Sequence, residues 1–104
     1  MHCYSGDIET AKRFLTLGFH ISFGGPVTFK NAQMPKDVAK EVPLERLLIE
    51  TDCPFLAPHP YRGKRNEPAY VVKVAEKLAE IHGLSYDQLT DATMNNAKAL
   101  FKIR

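Results

Sequence analysis

The sequence predicts a parallel α/β architecture, on three observations. Helix-like and strand-like patterns alternate along the chain in the order helix, strand, helix, strand, loop, helix, helix. The second strand-like run, Leu47-Leu48-Ile49, is continuously apolar, as a parallel strand covered on both faces would be. Just beyond it stands an acidic residue, Asp52, at the carboxyl end where such folds gather their chemistry.

The first helix is predicted from about Asp7 to Leu17. Ile8, Ala11 and Leu15 recur at helical spacing, and Gly18 is placed to end it. Asp7 and Glu9 fall in the first turn and Lys12 and Arg13 come later, the order the helix dipole favours. Phe19 to Phe23 then alternates, with Phe19, Ile21 and Phe23 on one side and His20 and Ser22 on the other, which predicts a strand. Gly24-Gly25-Pro26 stops it. Pro35 suits the first turn of a short helix in which Val38 and Val42 lie one turn apart, and Pro43 ends that helix.

After the run Leu47–Ile49 comes a loop from Cys53 to Glu67, punctuated by Pro54, Pro58, Pro60 and Gly63. Loops of this length in compact domains are usually functional. Pro68 opens the next helix, with Val71, Val74, Ala75, Leu78 and Ile81 along one face and Gly83 closing it. Ser85 and Gln88 form a capping-box pattern for a last helix. Leu89, Ala92, Asn96 and Leu100 mark its expected buried stripe. Two strands are too few for an independent sheet. The chain also opens on His2-Cys3-Tyr4-Ser5-Gly6, a loop-like segment of the kind that follows a strand.

The 104 residues, 44% hydrophobic and 25% charged, suit one globular domain and leave no room for a second. No apolar run approaches the ~18 residues of a membrane span, and Met1 to Gly6 lacks the basic-then-apolar pattern of a secretory leader. Cys3 and Cys53 are far apart and form no CxxC pair, so two reduced thiols in a cytoplasmic protein are expected. A formal charge of +2 is too small to argue by itself for a nucleic-acid partner.

Asp52 has two readings. A carboxylate at a strand end can bind a hard divalent cation or take a proton from a metal-bound water; it can also cap the turn with Thr51 before Pro54. His2 taken alone reads as a mobile surface group, although Ser5 and Gly6 precede a helix start whose N–H groups can receive a phosphate. His20, His59 and His82 make no HxH or HxxxH ligand pair, and His82 fits a dipole-complementing helix end. The segment from Pro58 to Asn66 sets Arg62, Lys64 and Arg65 beside Tyr61. Arginine can grip a phosphate with two hydrogen bonds, lysine adds a point charge, and a tyrosine can stack on a base. A solvated basic loop tip is the alternative.

Read together, His2-Cys3-Tyr4-Ser5-Gly6, Ser22-Phe23-Gly24-Gly25, the run from Leu48 through Glu50-Thr51-Asp52 to Pro54, Tyr61 to Pro68, and Asn96 to Phe101 resemble the successive motifs of the TatD DNase family. They keep that family's order and spacing over essentially the whole chain. The resemblance implies the C-terminal portion of a (β/α)₈ TIM-type barrel, with residues 1–104 forming a segment of one hydrolase domain. A barrel of this type needs roughly 250 residues, so about the first three fifths are expected to lie outside this sequence, including an HxH pair, a glutamate and another histidine.

The resemblance also implies one or two divalent metal ions, Mg²⁺ foremost with Mn²⁺ or Zn²⁺ as alternatives, and DNA, or RNA, as substrate. His2 and Asp52 are the implied metal ligands, and Asp52 is also the implied partner of the attacking water. Glu50 is expected to support Asp52 from behind, and Arg62 and Lys64 to lie along the nucleic-acid backbone. Two ligands hold a divalent ion poorly, so little activity is expected of the chain alone. A metal-dependent hydrolase acting on something other than nucleic acid is one alternative. The other is a non-catalytic chain that self-associates through open strand edges.

Overall fold

The computed structural model describes residues 1–102, and the elements follow the predicted order. They are α1 (Ile8–Thr16), β1 (Ile21–Phe23), α2 (Gln33–Glu41), β2 (Leu47–Ile49), α3 (Val71–His82) and α4 (Tyr86–Phe101), with short 3₁₀ turns at Gly25–Thr28, Leu44–Arg46 and Pro68–Tyr70. β1 and β2 pair in parallel, Ile21 opposite Leu47, Ser22 opposite Leu48 and Phe23 opposite Ile49. The chain start lies along the other edge of β1: Ser22 N–H donates to the Met1 carbonyl, and the Ser22 carbonyl accepts from Tyr4 N–H, both at 2.9 Å. Residues Met1 to Tyr4 themselves form no strand.

Each helix is fixed by the residues that predict it. The Asp7 carboxylate caps α1 by accepting from Thr10 N–H at 2.8 Å. Ser85 and Gln88 form the reciprocal capping box of α4. Gly83 takes a left-handed φ of 67° to close α3. At the far end of α1, the Arg46 guanidinium binds the carbonyls of Leu15 and Phe19, which ties that helix to the entry of β2.

The core lies between the sheet and the helices. Ile21, Phe23 and Leu47 share it with Val38 and Val42 of the α2 segment, Val74 and Leu78 of α3, and Leu89 of α4, all buried. Asn96 of α4 adds a polar clamp, its amide donating to the carbonyls of Leu44 at 2.7 Å and Leu47 at 2.9 Å. Satisfying two strand-end carbonyls at once sets where α4 crosses β2. His82 links α3 to α2 through Nε2, 2.8 Å from the Ala39 carbonyl.

Two expectations need correction. The first strand is shorter than Phe19–Phe23 and is not half-covered: Ser22 is buried, while Phe19 lies outside the strand and is 42% exposed. The cause is the end of α1. Gly18, at φ 91°, donates to the Leu15 carbonyl, and Phe19 N–H reaches back to the Phe14 carbonyl at 3.0 Å. That is a Schellman ending, and the Phe19 ring completes it by stacking on Phe14 with centroids 5.3 Å apart. The stripe of α4 also shifts. Leu100 is 42% exposed and Thr93 is buried instead, because an open groove separates the last turns of α4 from Leu48 and Ile49 of β2. No helix of the described residues is long and apolar enough to cross a membrane.

Candidate metal and phosphate site

At the carboxyl end of the sheet, the chain start and the exit of β2 come together through Glu50. Glu50 N–H continues the ladder by donating to the Phe23 carbonyl at 3.0 Å. Its carboxylate then turns toward the chain start. Oε2 accepts from Cys3 N–H at 2.7 Å, and Oε1 lies 2.8 Å from Nε2 of His2. The Glu50 side chain is 12% exposed against 79% for His2, so the carboxylate is a fixed post and the imidazole rests on it. Oε1 is a buried oxygen, and among the described residues no donor meets it with hydrogen-bond geometry, the His2 ring included. A carboxylate oxygen so placed has a position open for a further donor or cation. Sequence reasoning put Glu50 behind Asp52; the structure gives it His2 and the Cys3 backbone as partners. Only tertiary structure brings these together, because they are separated by half the chain.

Asp52 ends the β2 segment with φ 57°, a left-handed conformation that aspartate tolerates better than most residues. The turn after it is closed by other atoms. Thr51 Oγ1 accepts from Cys53 N–H at 3.3 Å, and the Asp52 carbonyl accepts from Phe55 N–H at 2.9 Å. Its carboxylate takes no hydrogen bond among the described residues, so Asp52 contributes to the turn through its carbonyl alone. The charges of Glu50 and Asp52 are both felt at Cys3, whose thiol is pushed above its usual pKa first by burial and then by those two carboxylates. Cys3 therefore stands at neutral pH as a neutral thiol between two acids. Neither cysteine forms a disulfide.

The long loop is held by one residue that sequence reasoning missed. Asn66 is buried, and its amide donates to the carbonyls of Thr51 at 2.6 Å and Phe55 at 2.7 Å while its Oδ1 accepts from Glu67 N–H. It binds both flanks of Asp52 from the loop's far end. Its position inside a basic, hydrophilic run hid that role. Gly25 fixes the other side, since a Cβ there would collide with the backbone of Leu56.

Arg62 lies over the ring of Phe29 with its guanidinium carbon 4.0 Å from the centroid, and both Arg62 and Lys64 are exposed. Tyr61 stacks on Tyr70 at 4.1 Å, so one of its two faces is covered. At the start of α1, next to Ser5 and Gly6, the Asp7 carboxylate takes up the Thr10 N–H and sets a negative charge at that helix terminus. His20 stands apart from His59 and His82, and its ordinary pKa is lowered by burial, then by Arg46 and the chain's amino terminus.

Among the described residues no group of three or more His, Cys, Asp or Glu side chains could hold a metal ion. The structure brings His2 against Glu50, sets Asp52 three residues beyond the end of β2, and leaves Arg62 and Lys64 exposed on the long loop.

The profile of TatD related DNases matches residues 1–102. The chain is 57% identical over 103 residues to YabD of Bacillus subtilis (strain 168), an uncharacterized metal-dependent hydrolase, covering 99% of this chain and 40% of that protein. It is 52% identical over 103 residues to YcfH of Escherichia coli (strain K12), named likewise, covering 99% of this chain and 39% of that one. Among solved structures, the TatD homologue YJJV of Escherichia coli K12 superposes over the whole of this chain and 40% of its own, with a TM-score of 0.92 and 34% identity. The chain therefore spans about two fifths of the length of the relatives it matches, and its fold is the C-terminal portion of their (β/α)₈ barrel.

Proposed function

The chain belongs to the TatD related DNase family, a family of metal-dependent hydrolases, and from that premise we propose that it supplies part of the catalytic centre for hydrolysis of DNA phosphodiester bonds. The observation that carries the proposal is the carboxylate of Asp52 just past the end of β2, on the same strand exit as Glu50, whose largely covered carboxylate lies 2.8 Å from His2 Nε2. Imidazole and carboxylate together suit Mg²⁺, Mn²⁺ or Zn²⁺, and the orphaned Glu50 oxygen fits a cationic neighbour. His2 and Asp52 would hold the ion, with other staves of the barrel completing the set. When bound, a divalent ion lowers the pKa of a water and offsets charge developing on phosphate.

This chain's residues have separate tasks. Asp52 orients the attacking water and takes its proton. Glu50, 2.8 Å from the His2 ring, would orient it once a metal draws the ring in, the usual work of a carboxylate behind a ligating histidine. Arg62 and Lys64 stand at the rim to bind phosphate oxygens, Arg62 keeping its N–H edges free while its face rests on Phe29.

Among the described residues, β2 is hydrogen-bonded to a strand on one side only. Along the sheet runs an apolar groove of about 500 Å³ whose walls include Leu48, Ile49, Ala97, Leu100 and Phe101. Further barrel staves, or a second copy of the chain, can cover it. Sedimentation at micromolar concentration is expected to show self-association of the chain alone; a clean monomer would count against this. The activity is tested by grafting these residues in place of the matching stretch of YabD and offering DNA, RNA and phosphomonoesters with Mg²⁺ or Mn²⁺. DNA cleavage that chelator abolishes is expected. A graft that leaves DNA intact while hydrolysing another ester would transfer the site to a different substrate.

A further inference from the structure

Beyond the His2–Glu50–Asp52 centre, α2 and α3 flank a polar cavity of about 520 Å³. Lys30 and Lys36 enter it from one side, Lys73 and Lys77 from the other, and His59 of the long loop forms part of its wall. Glu76 and Glu80 are the lining carboxylates, so four lysines face two acids.

A salt-bridged surface helix would account for part of this. Lys73 lies 3.7 Å from Glu76 and Lys77 lies 3.3 Å from Glu80, both i, i+3 pairs of the kind that contribute little at a surface. It does not account for Lys36. That ammonium is held by the carbonyls of Phe29 and Ala32, which carry no charge to match it. Its usual pKa is lowered by burial and then by Lys77, against a smaller opposing pull from Glu80. In both α3 pairs the lysine is also the less exposed partner, 36% against 51% and 28% against 74%. The lysines are thus the more covered members of a lining in which they outnumber the acids four to two, a net positive pocket that suits an anion.

The long loop reaches the cavity as well, since His59 and Pro60 form part of its lining. Arg62 of the same loop rests on the Phe29 ring, and the Phe29 carbonyl holds Lys36. Phe29 is therefore a shared neighbour of Arg62 and Lys36.

We propose that this lysine groove binds the phosphodiester backbone of the strand flanking the bond to be cut, alongside the Arg62 loop. The ligand rests on the nuclease reading above; the groove lies wholly within this chain and can be tested without catalysis. Binding of a labelled oligothymidylate to the chain is followed by fluorescence anisotropy over a salt series, without metal. The double variant Lys73→Gln, Lys77→Gln keeps helix propensity nearly unchanged, and circular dichroism checks its fold. It is expected to bind at least tenfold more weakly at low salt. Its dependence of log K on log salt should be shallower by about 1.4, roughly 0.7 for each single-strand phosphate that is no longer neutralised. Lys12→Gln with Lys98→Gln, on other faces, is expected to bind as the parent does.

Equal affinity and slope for the Lys73/Lys77 variant would overturn the proposal, as would failure of the parent chain to bind the oligonucleotide. Calorimetry with inorganic tripolyphosphate distinguishes the source of the phosphate. Lysine-dependent tripolyphosphate binding without oligonucleotide binding assigns the groove to free polyphosphate and overturns the proposal too. Cleavage by the graft is a separate readout: unchanged oligonucleotide binding by the double variant with intact cleavage sinks the groove alone, and lysine-dependent binding without cleavage sinks the nuclease reading alone.

Discussion

Asp52→Asn in the grafted barrel is expected to lower kcat for DNA cleavage by roughly 10³-fold, about 4 kcal/mol of lost transition-state stabilisation. The substitution preserves volume, and asparagine accepts the left-handed backbone that Asp52 adopts at φ 57° nearly as well as aspartate does. The carboxylate takes no hydrogen bond among the described residues, so its removal should hardly alter the melting temperature. Turnover and stability therefore separate. Asp52→Ala should lose both, because a Cβ-bearing residue without a polar side chain pays the left-handed strain, on the order of 1–2 kcal/mol. Measured kcat for the asparagine variant within a few-fold of the parent would move the water-activating role elsewhere.

The second large effect falls on Asn66. Substitution by alanine removes a buried amide that serves the carbonyls of Thr51 and Phe55 and the N–H of Glu67. Leaving buried polar groups unsatisfied costs about 1–3 kcal/mol apiece, and some of these will recover water as the loop opens. A net loss of about 3 kcal/mol in urea unfolding of the chain is expected. In the grafted barrel, kcat should fall as well, since both flanks of Asp52 are released. Asn66→Asp should be no milder, because it would turn a carboxylate toward two carbonyl oxygens. A loss below about 1 kcal/mol, under the cost of one unsatisfied group, would show that the loop is held by its prolines and not by this amide.

The helices were legible because their signals are local. Asp7, Ser85 with Gln88, and Gly83 each act within one turn, and each does in the structure what its position in the sequence implies. The strands were less so. Phe19 shares the apolar alternation of β1, yet its backbone is committed to closing α1, a competition invisible to a period-two pattern. Leu100 keeps helical spacing with Leu89 but faces the open groove beside β2.

In the site, Asp52 could be found from its place after an apolar strand. The Glu50–His2 contact and the reach of Asn66 to Thr51 could not, because both join distant parts of the chain. The lysine groove was hidden for the same reason. Lys30, Lys36, Lys73 and Lys77 are scattered through two helical regions and make no charge run, and the net charge is only +2. The basic run that does stand out, Arg62 to Arg65, lies on the long loop that also lines the groove through His59 and Pro60.

The central claim is that His2 and Asp52 are corners of a divalent-ion site completed by other staves of the barrel. Mn²⁺ affinity, read by electron paramagnetic resonance for the chain alone and for the grafted barrel, tests it most directly. The graft should bind Mn²⁺ at least a hundredfold more tightly than the chain, and His2→Ala or Asp52→Asn in the graft should remove most of that gain. Equal affinity in chain and graft, or a graft indifferent to both substitutions, would contradict the account.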